Sequence, residues 1–118
     1  MQTTPSGKVQ IANDVLAKIA SMATMESDGV YSMAAMTTGL VRKGARPSFK
    51  GVRVSVSREE VSLELNIVVR MGKKIVEVCE DVQSRAKVAV ETMTGLRVSS
   101  VNVVVSGVAV DKRKENTE

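Results

Sequence analysis

The sequence predicts an α+β fold, a two-layer sandwich in which a small mixed sheet of three to four strands carries two helices packed on one face. Three observations predict it. Between Ile75 and Met93, the residues Ile75, Val78, Cys79, Val82, Ala86, Ala89, Val90 and Met93 fall on one apolar stripe at helical spacing, with Glu77, Glu80, Asp81, Ser84 and Glu91 on the opposite side. Before this helix, Val52, Val54 and Val56 alternate with Arg53, Ser55 and Ser57. After a turn, Val61, Leu63, Leu65, Ile67 and Val69 alternate with Ser62, Glu64 and Asn66, the pattern of an antiparallel hairpin with one wet face. After the helix, Val101, Val103 and Val105 share one parity around Asn102. The strand, helix, strand order makes the last strand parallel to the one before the helix, through a right-handed crossover.

The other elements follow in order. Residues 1–8 hold Pro5 and Gly7 and little to bury, and are expected to be flexible. Val9 and Ile11 suggest a short strand. From Asn13, a candidate N-cap, a first helix carries Val15, Leu16, Ile19, Met22 and Ala23 on its apolar side and Asn13, Ala17, Ser21 and Thr24 on the other. Asp28-Gly29 is expected to end it, with the glycine at positive φ. Helical continuation carries Glu26 onto the buried side, which reads as a fraying end or as a carboxylate paired with a base.

Val30 to Met36 is apolar with little alternation and reads as a strand or an extended loop. Residues 37–51 place Gly39, Gly44, Pro47 and Gly51 among Arg42, Lys43, Arg46 and Lys50, the composition of a mobile basic loop. Leu96 and Val98 have the opposite parity to Val101, and a bulge or a late strand start near Ser99-Ser100 reconciles them. Residues 111–118 form a charged tail expected to be disordered, leaving 9–110 as a single domain.

Composition bounds the function. A chain of 118 residues and 12.6 kDa suits one core. Aromatic residues make up 2%, Tyr31 and Phe49 only, so a base-stacking platform for single-stranded nucleic acid is missing and nucleic acid is a disfavoured partner. The net charge of +4 permits anionic partners without demanding them, since much of the excess lies in Arg42 to Lys50 and Lys112 to Lys114. One cysteine allows no intrachain disulfide, and a reducing cytoplasm is the expected compartment. The first residues lack the charged-then-apolar pattern of a leader, and no apolar run approaches the roughly 20 residues of a membrane span. Membrane association is expected only through a partner.

No histidine is present, which removes the commonest general base and zinc ligand. No catalytic residue, metal or cofactor is assigned, and an enzyme is not expected. Cys79, on the apolar stripe without a histidine partner, reads as a small hydrophobe rather than a nucleophile. Glu77, Glu80 and Asp81 share their helix face with Lys74, Arg85 and Lys87 and read as a solvated surface rather than a cation site, with Asp81 and Arg85 in the favoured i,i+4 order. Arg70, Gly72, Lys73 and Lys74 lie where a strand turns into a helix. Free backbone N–H groups and lysines could hold an anion there, against the plainer reading of lysines in water. The methionines, seven in all, fill a core short of aromatics, a reading preferred over an adaptable contact surface built from Met33 and Met36. The candidate interaction surfaces are Arg42, Lys43, Arg46 and Lys50 on the loop, and Val103, Val104 and Val105 on the last strand.

The run Met71-Gly72-Lys73-Lys74-Ile75-Val76-Glu77-Val78, then Val82-Gln83, then Glu91-Thr92-Met93-Thr94-Gly95-Leu96 through Val101-Asn102-Val103 to Val108, resembles the alkaline shock protein family of bacterial general-stress and cell-envelope proteins. Glu26-Ser27-Asp28-Gly29-Val30 and Gly51-Val52 resemble its shorter motifs, and the likeness runs from Gly7 to Val110. The chain departs from the family at Met71, where an aromatic is frequent, and at Ala12, where a serine-like cap is frequent. The resemblance implies a cytoplasmic bacterial protein without known catalytic residues, self-associating, with some members gathered at the membrane by an anchor protein. A non-enzymatic scaffold or adaptor in envelope stress or homeostasis is therefore expected. The alternative is a small anion- or nucleic-acid-binding module using Arg42, Lys43, Arg46, Lys50, Arg53, Lys73 and Lys74.

Overall fold

Val61, Leu63, Leu65, Ile67 and Val69 are all at most 1% exposed, and the molecule is built around the strand that carries them. The computed structural model describes residues 3–4, 7–35 and 50–110. Its elements are β1 (Thr3–Thr4), β2 (Gly7–Lys8), α1 (Asn13–Met25), β3 (Val30–Met33), β4 (Val52–Ser57), β5 (Glu60–Arg70), α2 (Ile75–Thr94) and β6 (Arg97–Ala109). Arg42, Lys43, Arg46 and most of the basic stretch 37–51, together with Met36 and the tail 111–118, lie outside the described residues.

β5 pairs along both edges. On one side β6 runs parallel to it from Glu60↔Arg97 to Arg70↔Ala109. On the other, β4 is antiparallel to its first half and β3 to its second. The sheet is therefore mixed, with β3 and β4 laid end to end along one edge and β6 along the other. Both helices cover the face bearing the buried β5 residues, and the opposite face presents Arg53, Ser55, Ser62, Glu64 and Asn102.

The hairpin turn places Arg58 and Glu59 at φ 52° and 68°, the twist that a two-residue connection needs between right-twisted strands. Asn66 marks the handover between β3 and β4: its N–H donates to Gly51 O at 2.8 Å and its carbonyl accepts from Ala34 N at 2.9 Å. Its side-chain Nδ2 adds a bond to Ala35 O, while the buried Oδ1 has no partner among the described residues. Gly51, at φ 78°, is required here, because a Cβ would sit 2.6 Å from Ala34 O and 2.9 Å from Asn66 O.

Several expectations are corrected. The buried face of α1 is Leu16, Ala17, Ala20, Ala23 and Thr24, while Val15 and Met22 are 48% and 60% exposed. Small residues let α1 lie close to α2 and the sheet, and the Thr24 hydroxyl is buried because it donates to Ala20 O at 2.7 Å. Asn13 is the first helical residue rather than the cap; Ala12 occupies that position and makes no side-chain bond. Glu26 caps the helix C-terminus and is exposed.

Gly29 is not at positive φ, and its lack of a side chain serves packing, since a Cβ would run into Val78. Val9 is exposed and outside any strand, Ile11 packs on the core, and the pairing near the N-terminus is Thr3↔Lys8 and Thr4↔Gly7.

On α2 the stripe is buried only in its middle, at Val78, Val82, Ala86 and Val90. Ile75 and Met93 are 44% and 71% exposed, because a helix of 20 residues, about 30 Å long, outruns the core beneath it. Gly95 closes it at φ 77°, with its N–H on Glu91 O. The register shift between Val98 and Ser100 is a bulge rather than a late strand start, since β6 already begins at Arg97; a second shift, between Val105 and Gly107, leaves Ser106 unmatched.

Candidate functional site

β6 begins as a guarded strand and continues as an open one. Among the described residues its one ladder is with β5, so its far side is a sheet edge there. Near the start of that edge, two side chains of α2 reach over it. A Glu91 carboxylate oxygen accepts the Val98 N–H at 2.9 Å, and Gln83 Nε2 donates to Val101 O at 3.0 Å. Glu91 thus lies over the strand and not on the solvent side, opposite the apolar stripe, where helical spacing places it, and neither it nor Gln83 carries a local pattern that discloses the role.

The Val101 carbonyl is turned away from β5, and backbone groups alternate in direction along a strand, so those of Val103 and Val105 face the open edge too. Among the described residues no side chain caps these groups. Val103 and Val105 are half-buried against the core, and Val104 is 43% exposed on the other face of the sheet. From Val98 to Val110 the strand carries no charge and no proline, the two residue types that most often blunt an edge.

At the turn that could hold an anion, groups of the protein lie beside two of the cations. Arg70 donates from Nε to Asp28 O at 3.2 Å and lies over the Tyr31 ring at 5.5 Å from its centroid. Lys73 Nζ is 3.9 Å from the Asp28 carboxylate. Gly72 turns the chain at φ 94°, and Lys74 is the N-cap of α2 without a side-chain bond. The structure brings Arg70 and Lys73 together through Asp28 and separates both from Arg53, which pairs with Glu64 across the hairpin at 3.3 Å. Lys50 is exposed just before β4.

A groove of ≈ 350 Å³ lies between the helices, lined by Ala23, Glu26, Ser84, Arg85, Val88 and Ala89. Along α2 the Arg85 Nε donates to Asp81, one turn earlier, at 2.8 Å, and this hydrogen bond, with a second from Ser27, holds the Asp81 carboxyl below its usual range. Cys79 is partly buried rather than enclosed in the core; desolvation, and then the neighbouring Glu80, push its thiol up, away from the reactive thiolate. Among the described residues no three His, Cys, Asp or Glu are grouped to hold a metal ion, and no helix is long and apolar enough to cross a membrane.

Residues 1–110 match the alkaline shock protein family, described as having a cell envelope-related function. The chain is 35% identical over 111 residues to the uncharacterized protein YloU of Bacillus subtilis (strain 168), covering 91% of this chain and 92% of that one. It is 31% identical over 113 residues to the uncharacterized protein Spy1614 of Streptococcus pyogenes serotype M6, covering 91% and 92%. Among solved structures, a copper form of a MamM CTD variant superposes with a TM-score of 0.51 at 14% identity, covering 81% of this chain and 98% of that one. A manganese form does so with a TM-score of 0.51 at 14% identity, covering 81% and 99%. At that identity the likeness is one of fold.

Proposed function

Because the chain belongs to the alkaline shock protein family, whose described function is cell envelope-related, we propose that it is a non-enzymatic scaffold or adaptor in envelope stress or homeostasis. It acts by self-association and by contact with protein partners, in the cytoplasm and, through a membrane-anchored partner, at the membrane periphery. The observation that supports this most is the uncharged, partly open edge of β6, a surface with affinity for another strand and no group suited to chemistry. The absence of histidine and the raised thiol of Cys79 favour the same non-enzymatic reading.

The anion-binding alternative ranks below it, because Asp28 already engages both Arg70 and Lys73. Sedimentation velocity across a dilution series tests the proposal: the sedimentation coefficient rises with concentration. A strict monomer at every concentration, with tight RNA binding at low salt, would replace this reading with the alternative.

A further inference from the structure

We infer that two copies of this chain pair through β6 in antiparallel fashion about a twofold axis at Val104, so that their sheets become one. This rests on the scaffold reading above and assigns its contact surface. Three observations place the axis. Gln83 and Glu91 occupy the edge at Val101 and Val98, which excludes a partner strand from centring on the first part of β6. The bulge at Ser106 shifts the register between Val105 and Gly107, so the regular alternation of outward groups that starts at Val101 stops at Val105. Between these two stops the outward backbone groups are those of Val103 and Val105.

A twofold axis at Val104 sets Val103 of each copy against Val105 of the other as a hydrogen-bonded pair, and Val104 against its own counterpart as a non-hydrogen-bonded one.

The occupant is a second copy because the surface complements itself. An antiparallel self-contact brings like residues together at the axis, which a charged edge could not tolerate, and no residue from Val98 to Val110 is charged. Beside the strand, α2 contributes Val76, 69% exposed on the same side of the helix as Gln83, and the partly buried Cys79. These extend the apolar contact beyond a few strand residues, as a stable dimer requires. The Val104 side chain, exposed on a mostly polar face, gains an apolar neighbour.

Cysteine cross-linking of the full chain tests the geometry. In a Cys79→Ser background, Val104→Cys places two thiols at a non-hydrogen-bonded pair, whose Cα separation of about 4.5 Å lies within the disulfide range. Mild oxidation should convert it to a covalent dimer, while Asn102→Cys, on the same face but displaced from the axis, should remain largely monomeric. Val76→Lys, at a position outside the core, should weaken association more than about tenfold by setting like charges across the axis, whereas Met22→Lys on the exposed face of α1 should leave it unchanged.

A wild-type protein that associates while Val104→Cys fails to cross-link and Val76→Lys has no effect overturns the β6 contact and leaves the scaffold reading standing. A wild-type protein that never associates overturns both. The same assay with a foreign apolar strand peptide binding in place of a second copy also overturns the self-pairing.

Discussion

Gly29 and Asp81 show how much a single position does in this fold. Gly29 was expected to turn the chain, and instead it makes room: the side chain of Val78, on the first full turn of α2, lies where a Cβ would be. Valine has few rotamers to retreat into. Gly29→Ala is therefore expected to cost about 1–3 kcal/mol, read as a lower midpoint in urea unfolding with an unchanged slope.

Asp81 is held ionised first by the Arg85 hydrogen bond and then by Ser27, and Glu26 and Asp28 add to the negative surroundings of Arg85. A carboxyl whose folded pKa is depressed adds stability above its unfolded value, near 4, and that stability is lost as pH falls through the folded one. The pair is half-exposed and screened by solvent, so the effect is small. Arg85→Met should lower the melting temperature at pH 6, and the gap from wild type should close as the pH falls below about 4, the unfolded carboxyl value. A gap that widened on acidification would contradict this assignment.

At the level of elements, α2 is a core helix on one side and an edge guard on the other. Its apolar stripe was legible in sequence because 3.6-residue spacing survives any tertiary arrangement. The roles of Gln83 and Glu91 were not, because a side chain that satisfies a distant strand carries no local pattern. Glu91→Ala leaves the Val98 N–H without its acceptor; a loss of about 1–2 kcal/mol is expected, with faster hydrogen exchange at the Val98 amide as the local signature. An unchanged exchange rate there would place the guard elsewhere.

The face of α1 illustrates the opposite failure. Hydrophobicity ranked Val15 and Met22 above Ala17 and Ala20, but the gap over the sheet accepts the smaller residues. Packing distance decided this, and no single helix encodes it.

For the whole molecule, the balance of charge separates the readings of function. Association through an uncharged strand should change little, by less than about twofold, between low and moderate salt, because few counterions are released. Binding of a polyanion to the basic residues would fall by orders of magnitude over the same range. A dilution series repeated at two salt concentrations distinguishes them. A strongly salt-sensitive self-association would point to the charged surfaces instead of β6.

The sequence alone determined the layers of this protein, the hairpin and the parallel return of β6, because side-chain alternation and chain connectivity are local or nearly local properties. It also carried the family motifs. Only the tertiary structure decided which half of β6 stays open, since that depends on where α2 happens to lay Gln83 and Glu91. It likewise decided that Asp28 would engage the basic turn. Both outcomes arise from contacts between residues far apart in the chain, whose distances no spacing rule sets.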